Sequence, residues 1–241
     1  MTTFTVLPDA AAVATATADR FVEVAAAALD ERGAFRVALS GGGTPKAVYP
    51  LLLEPRRRDA VDWGRVELFW GDERSVPPDH PESNFGVAYG MLISQLPGVR
   101  PDHVHRMPAE AEDIDAAAMG YESELRLAFG ARGSEPPAFD LIWLGMGPDG
   151  HTASLFPGTT ALDELDRWVV GNWVPQQDTW RMTLTFPVLA AARDVLFVVT
   201  GADKADPLRA IRTGGSGLPA ERVAGDQVEW IVDSAAAGDG S

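Results

Sequence analysis

Eight short apolar runs set the frame for this chain: FTVL (4–7), FRVAL (35–39), RVELFW (65–70), FDLIWL (139–144), RWVVG (167–171), RMTLTF (181–186), DVLFVVT (194–200) and VEWIV (228–232). Each has strand length and is rich in β-branched or aromatic residues. Between them lie stretches with helical spacing. In residues 9–32, Val13, Phe21, Val24 and Ala28 recur near a 3.6-residue period, and Gly33 supplies a stop. Residues 45–53 open on Pro45, which a first helical turn tolerates. Residues 83–95, 112–130 and 203–211 also read as helices, the last with Pro207 in its first turn. Strands alternating with helices predict an α/β fold, with a mostly parallel central sheet between helical layers. Continuous apolar runs such as VLFVV predict strands covered on both faces.

Composition narrows the function. The chain has 241 residues, a size for one large domain or two small ones, and no cysteine, which excludes disulfides and thiolate chemistry. Asp plus Glu number 35 against 20 Lys plus Arg, a formal net charge of −15. Such a surface opposes a nucleic-acid backbone or an anionic membrane, and any anionic ligand must be held by a few gathered cations. No apolar run reaches the length of a membrane span, and the first residues lack the pattern of a secretory signal, so a cytoplasmic protein is expected.

Four segments carry chemistry. In ALSGGGTPKAVYP (38–50) a strand enters three glycines and then a helix beginning near Thr44 and Pro45. Gly41, Gly42 and Gly43 allow close backbone approach, and the helix start offers free N–H groups, so Ser40 to Thr44 read as a phosphate cradle rather than a plain turn. The spacing is not that of a Walker A loop. In FWGDERSVPPDHPESNFGVA (69–88), Asp72, Glu73 and Arg74 follow a strand. Three such charges often mark only a solvated loop. At a sheet edge shared with the glycine loop, Arg74 can instead meet a phosphate or a developing oxyanion. His80, among prolines, reads as a surface residue.

LGMGPDGHTASLFPG (144–158) places His151 just past a strand, with Asp149 two residues before it to orient the ring. GMGPDG has the form G-x-G-x-x-G, but Pro157 follows His151 by only six residues and leaves no room for the helix a dinucleotide site needs. In LFVVTGADKADPLRAI (196–211), Lys204 sits at a helix start, where its charge opposes the helix dipole unless an anion is bound. Arg181 is a second spare cation. His103 and His105 alternate, but no third metal ligand stands near them in the sequence, and a short exposed strand is expected. Arg56 to Arg58 read as a solvated helix end, and SAAAGDGS (234–241) as a frayed tail.

Taken in order, SGGGTPKAVY, WGDERSVPPDHPESNFGVA, LIWLGMGPDGHTASLFPG, RMTLTFPVL and VVTGADKADPLRAI resemble the 6-phosphogluconolactonases and, more distantly, the glucosamine-6-phosphate deaminase/isomerases of the same superfamily. The likeness spans almost the whole chain. It implies one domain over residues 1–241, a three-layer αβα sandwich of Rossmann-like type. The implied substrate is a small phosphorylated sugar lactone, 6-phospho-D-glucono-1,5-lactone, opened in the oxidative pentose phosphate pathway by a monomer needing neither cofactor nor metal. His151 is implied to be the general base, Asp149 its orienting partner and Arg74 a contact of the oxyanion or the sugar. Asp72 and Asn84 are implied to meet sugar hydroxyls, and Ser40 to Thr44, Lys204 and Arg181 to hold the phosphate. Two departures separate this chain from the deaminases. Phe156 stands where they carry a glutamate, and Arg74 where they carry an aromatic residue. Isomerisation needs that extra carboxylate, while lactone hydrolysis needs an activated water and an oxyanion partner. Deamination and non-catalytic sugar-phosphate sensing are the alternatives.

Overall fold

The computed structural model describes residues 1–238. Its strands in chain order are β1 (Thr2–Leu7), β2 (Phe35–Leu39), β3 (Val66–Trp70), β4 (Asp72–Arg74), β5 (Leu141–Leu144), β6 (Val169–Val174), β7 (Thr179–Leu184), β8 (Asp194–Val199) and β9 (Gln227–Asp233). The main helices are α1 (Ala10–Arg32), α2 (Gly43–Leu52), α3 (Pro55–Arg58), α4 (Asn84–Met91), α5 (Ile114–Phe129), α6 (Phe186–Ala191) and α7 (Ala205–Thr213). Six strands form one parallel sheet in the order β1-β9-β8-β5-β2-β3. The expected α/β architecture, a mostly parallel central sheet flanked by helices, is present. Among the described residues no helix is long and apolar enough to cross a membrane.

Local chemistry explains the helix bounds. The Asp9 carboxylate accepts from the Ala12 N–H at 2.8 Å and starts α1, while Gly33, at φ 74°, ends it. Between them Val13, Ala14, Phe21, Val24, Ala28 and Leu29 bury one stripe of α1 in the core. Pro207 is the third residue of α7, where no intrahelical bond is lost.

One expectation is corrected. RWVVG and RMTLTF do not extend the parallel sheet. They form β6 and β7, which join β4 in a separate antiparallel sheet of order β4-β7-β6. Only residues 175–178 connect β6 to β7, with Asp178 in the left-handed region at φ 50°. A parallel crossover needs a dozen or more residues, so a hairpin is the only pairing this connection permits.

Two smaller corrections concern charge. His105 is not on an exposed strand but is buried beside Phe69, ring centroids 4.3 Å apart. Its Nδ1 lies 2.7 Å from Glu124 and its Nε2 3.6 Å from Glu67. Burial lowers its pKa, but the two carboxylates outweigh burial and raise it to about 9. A histidine whose folded pKa exceeds its unfolded value of about 6.5 stabilises the fold fully below that value. That stabilisation is lost as pH rises through about 9. Thermal melts between about pH 6 and about pH 10 should therefore show a falling Tm, and His105→Gln should flatten the decline. An unchanged slope in the variant would remove His105 as its source. Arg57, within the Arg56–Arg58 cluster, is likewise buried rather than solvated, and pairs with Asp19 at 2.8 Å and Glu54 at 2.5 Å. At the other end of the chain, Ser234–Ala237 form a helical turn after Asp233 instead of a frayed tail, and 239–241 lie outside the described residues.

The sheet order also fixes where a ligand can sit. From β2 the chain moves outward to β3, then returns to place β5 on the other side of β2. Such a reversal opens a crevice at the carboxyl ends of the two strands. Those ends feed the glycine loop and the loop carrying His151.

Candidate active site

The crevice is a cavity of about 280 Å³. Ser40, Gly41, Gly42, Gly43 and Thr44 line it from the end of β2, and Lys204 from beyond β8. His151 lines it from the loop after β5, and Asp72 and Arg74 from β4. Nine of the twelve residues singled out in the sequence thus share one cavity. Asp149 and Arg181 are outside its lining, and Asn84 lines an adjoining cavity that shares Ser40 to Gly43 and Arg74.

Gly42 adopts φ 102°, a conformation open to glycine and strained for other residues. Gly41 is needed for space: a Cβ there would stand 1.8 Å from the Asn84 Oδ1. The buried Tyr49 hydroxyl donates to the Ser40 carbonyl at 3.1 Å and holds the loop from behind. The Thr44 and Thr200 hydroxyls lie 3.3 Å apart, tying the loop to the end of β8. The Lys204 ammonium is 2.6 Å from the exposed Asp203 carboxylate, a surface pair that a bound dianion can outcompete.

The alternation of β4 sorts three consecutive charges. Asp72 and Arg74 reach the cavity, and Glu73 points the other way. Glu73 is 2% exposed and accepts from the backbone N–H groups of Arg74, Asn84 and Phe85, each at 2.8 Å, and from the Ser83 hydroxyl at 3.0 Å. Burial pushes its carboxyl up, opposed by those backbone donors. It caps the start of α4 and thereby fixes Asn84. The Asn84 amide then donates to the Asp72 carbonyl at 2.9 Å and to its Oδ1 at 3.2 Å. The other Asp72 oxygen accepts from the Ser154 hydroxyl at 2.6 Å.

Arg74 donates to the Glu82 carbonyl at 2.8 Å, and its buried Nε is unpartnered among the described residues. Arg181 is its cross-strand neighbour, and its Nε is unpartnered too. Burial first, then the Arg74 charge, lowers the Arg181 pKa. Two unneutralised guanidiniums side by side favour an anion.

His151 is held through Nδ1, which lies 2.6 Å from the Asp149 carboxylate. The same carboxylate accepts from the His151 N–H at 3.1 Å. Nε2 is therefore the nitrogen left for chemistry. Sequence reasoning did not single out Phe156, Ser154, Glu73 or Gly147 as site residues. The first stacks on the His151 ring at 3.9 Å and 23°. Gly147 leaves room for that ring, since its own Cβ would meet Nδ1 and Cε1 at 2.1 Å.

This architecture recurs in known proteins. Residues 8–232 match the family described as glucosamine-6-phosphate isomerases/6-phosphogluconolactonase. A 6-phosphogluconolactonase of Synechocystis is 46% identical over 178 residues, which cover 73% of this chain and 71% of the relative. A 6-phosphogluconolactonase of Nostoc is 35% identical over 239 residues, covering 97% and 96% of the two chains. Among solved structures, 6-phosphogluconolactonase from Trypanosoma cruzi superposes with a TM-score of 0.85 at 29% identity, covering 99% of this chain and 97% of the other.

Proposed function

The chain belongs to the glucosamine-6-phosphate isomerase/6-phosphogluconolactonase family, and on that premise we propose that it hydrolyses 6-phospho-D-glucono-1,5-lactone to 6-phospho-D-gluconate, the lactonase step of the oxidative pentose phosphate pathway. One observation carries the reading. An oriented imidazole and an anion cradle of glycines and Lys204 line the same cavity.

In this reading the phosphate lies on the N–H groups of Gly41 to Thr44, with the Ser40 and Thr44 hydroxyls and Lys204 around it. Arg181 supports the positive field from beside Arg74. The sugar hydroxyls meet Asp72 and Asn84. The lactone carbonyl then lies between Arg74 and His151. Nε2 of His151 takes a proton from water as the water oxygen bonds to C1. Arg74 stabilises the oxyanion that forms. When the bond from C1 to the ring oxygen breaks, the imidazolium returns its proton to that oxygen. Asp149 keeps Nδ1 protonated throughout. The whole chain, 1–241, works as one domain and as a monomer in the cytoplasm, and its −15 charge opposes nucleic-acid partners.

The test is hydrolysis of freshly generated lactone in weak buffer, followed by acid release with the spontaneous rate subtracted. No acceleration over background would overturn the reading. Ammonia release from glucosamine 6-phosphate would then identify the deaminase alternative, and binding of 6-phosphogluconate without turnover the sensor. Against the deaminase, Phe156 fills the place of its extra carboxylate and packs on His151.

A prediction separates phosphate binding from catalysis. Lys204→Ala is expected to raise KM for the phosphorylated lactone by about 10-fold or more, the scale of one charge-assisted contact. Turnover of unphosphorylated gluconolactone should not change. Equal loss on both substrates would place Lys204 away from the phosphate.

A further inference from the structure

One hydrogen bond does not fix an imidazole. The Asp149 contact at Nδ1 anchors a single point and leaves the ring free to rock about it. We infer that Phe156 is the positioning residue that removes this freedom, acting on catalysis through His151 and not through substrate; the inference rests on His151 being the base.

The stack is nearly parallel, with centroids 3.9 Å apart and planes inclined at 23°. Phe156 is 3% exposed, so its own ring is packed in place and covers one face of the imidazole. The intervening turn is built to deliver this contact. Ala153 takes φ 47°, a left-handed conformation that costs a non-glycine residue about 1 kcal/mol or more. The bonds that hold it there come from both sides of the turn. The Leu155 N–H donates to the Thr152 carbonyl at 2.9 Å, and the Thr152 hydroxyl to the Gly145 carbonyl at 2.8 Å. Every polar group of Ser154 is engaged: its N–H donates to Thr183 Oγ1 at 3.2 Å, its hydroxyl to Asp72 at 2.6 Å, and its carbonyl accepts from Asn172 at 2.8 Å. The Phe156 carbonyl accepts from the Thr159 hydroxyl at 2.8 Å. A chain that reverses direction within five residues, against backbone strain, brings a phenyl ring onto the one histidine in the cavity.

The test uses Phe156→Leu, which keeps apolar volume and loses the flat face, with Phe156→Met as a second variant should the first fold poorly. kcat is expected to fall about 10-fold, within the range a small misplacement costs, while KM stays within about twofold. A purely structural role would not alter the state of the imidazole. Two-bond ¹H–¹⁵N correlation of the ring, in a chain with only four histidines, reads that state directly. The His151 signals, assigned by their absence in His151→Ala, should report one tautomer, protonated at Nδ1, in the parent protein and a mixture in the variant. Unchanged kcat overturns the inference, and so does a lowered kcat with an unchanged tautomer. A fully active His151→Ala would instead overturn the general-base reading, with the tautomer measurement still judging the stack.

Discussion

His151→Ala is expected to lower kcat by about 10²-fold or more while the fold stays intact, the scale on which a positioned general base contributes. The side chain is 24% exposed. Its contacts are the Asp149 carboxylate and one face of Phe156. The backbone bonds of its loop do not depend on it: the Gly147 N–H donates to the His151 carbonyl at 2.9 Å whatever the side chain. Truncation should therefore shift Tm by only a few degrees. Phosphate binding by the glycine loop and Lys204 should persist, so the loss should fall on kcat and not on KM. Residual hydrolysis above the spontaneous rate would measure what Arg74 and substrate positioning supply without a base. A soluble His151→Ala enzyme of near-parental rate would move the base to another group, of which Asp72 is a candidate because it lines the same cavity.

The parts of this site that sequence reveals are those whose chemistry is local. Three glycines before a helix start, a carboxylate two residues from a histidine and a lysine at a helix entry each imply their role from neighbours in the chain. The structure indeed gathers Ser40 to Thr44, His151 and Lys204 around one cavity. What escapes is set by tertiary register. Glu73 carries the same type of charge as Asp72, and only the pleat of β4 decides that one faces the cavity while the other caps α4. His105 looks solvent-facing in a polar segment, but Phe69, Glu67 and Glu124 come to it from elements distant in sequence. The second sheet was within reach, because the four residues between β6 and β7 forbid a parallel crossover. Phe156 stands out in the sequence only as a departure from the deaminases; that it is buried against His151 depends on the left-handed turn at Ala153, for which alanine gives no sign.

Gly147→Ala tests the same geometry from the other edge of the ring, and its effect should approach that of deleting the imidazole. The glycine does not use a left-handed conformation, so alanine is compatible with its backbone. The obstacle is volume. A Cβ built there stands 2.1 Å from both Nδ1 and Cε1 of His151 and 2.8 Å from the Asp149 carboxylate. No real contact is that short, so the histidine, the aspartate or both must swing away. Each side chain is partly exposed, and both can move without unfolding the protein, which keeps the expected loss of stability small. Catalysis has no such tolerance, since displacing a base by about 1 Å costs about 10²-fold in rate. Steady-state kinetics should therefore show kcat lowered by about two orders of magnitude, KM little changed, and a melting curve near that of the parent. Parental kcat in a folded Gly147→Ala protein would mean that the imidazole works from a displaced position, and that neither Asp149 nor Phe156 is needed to hold it.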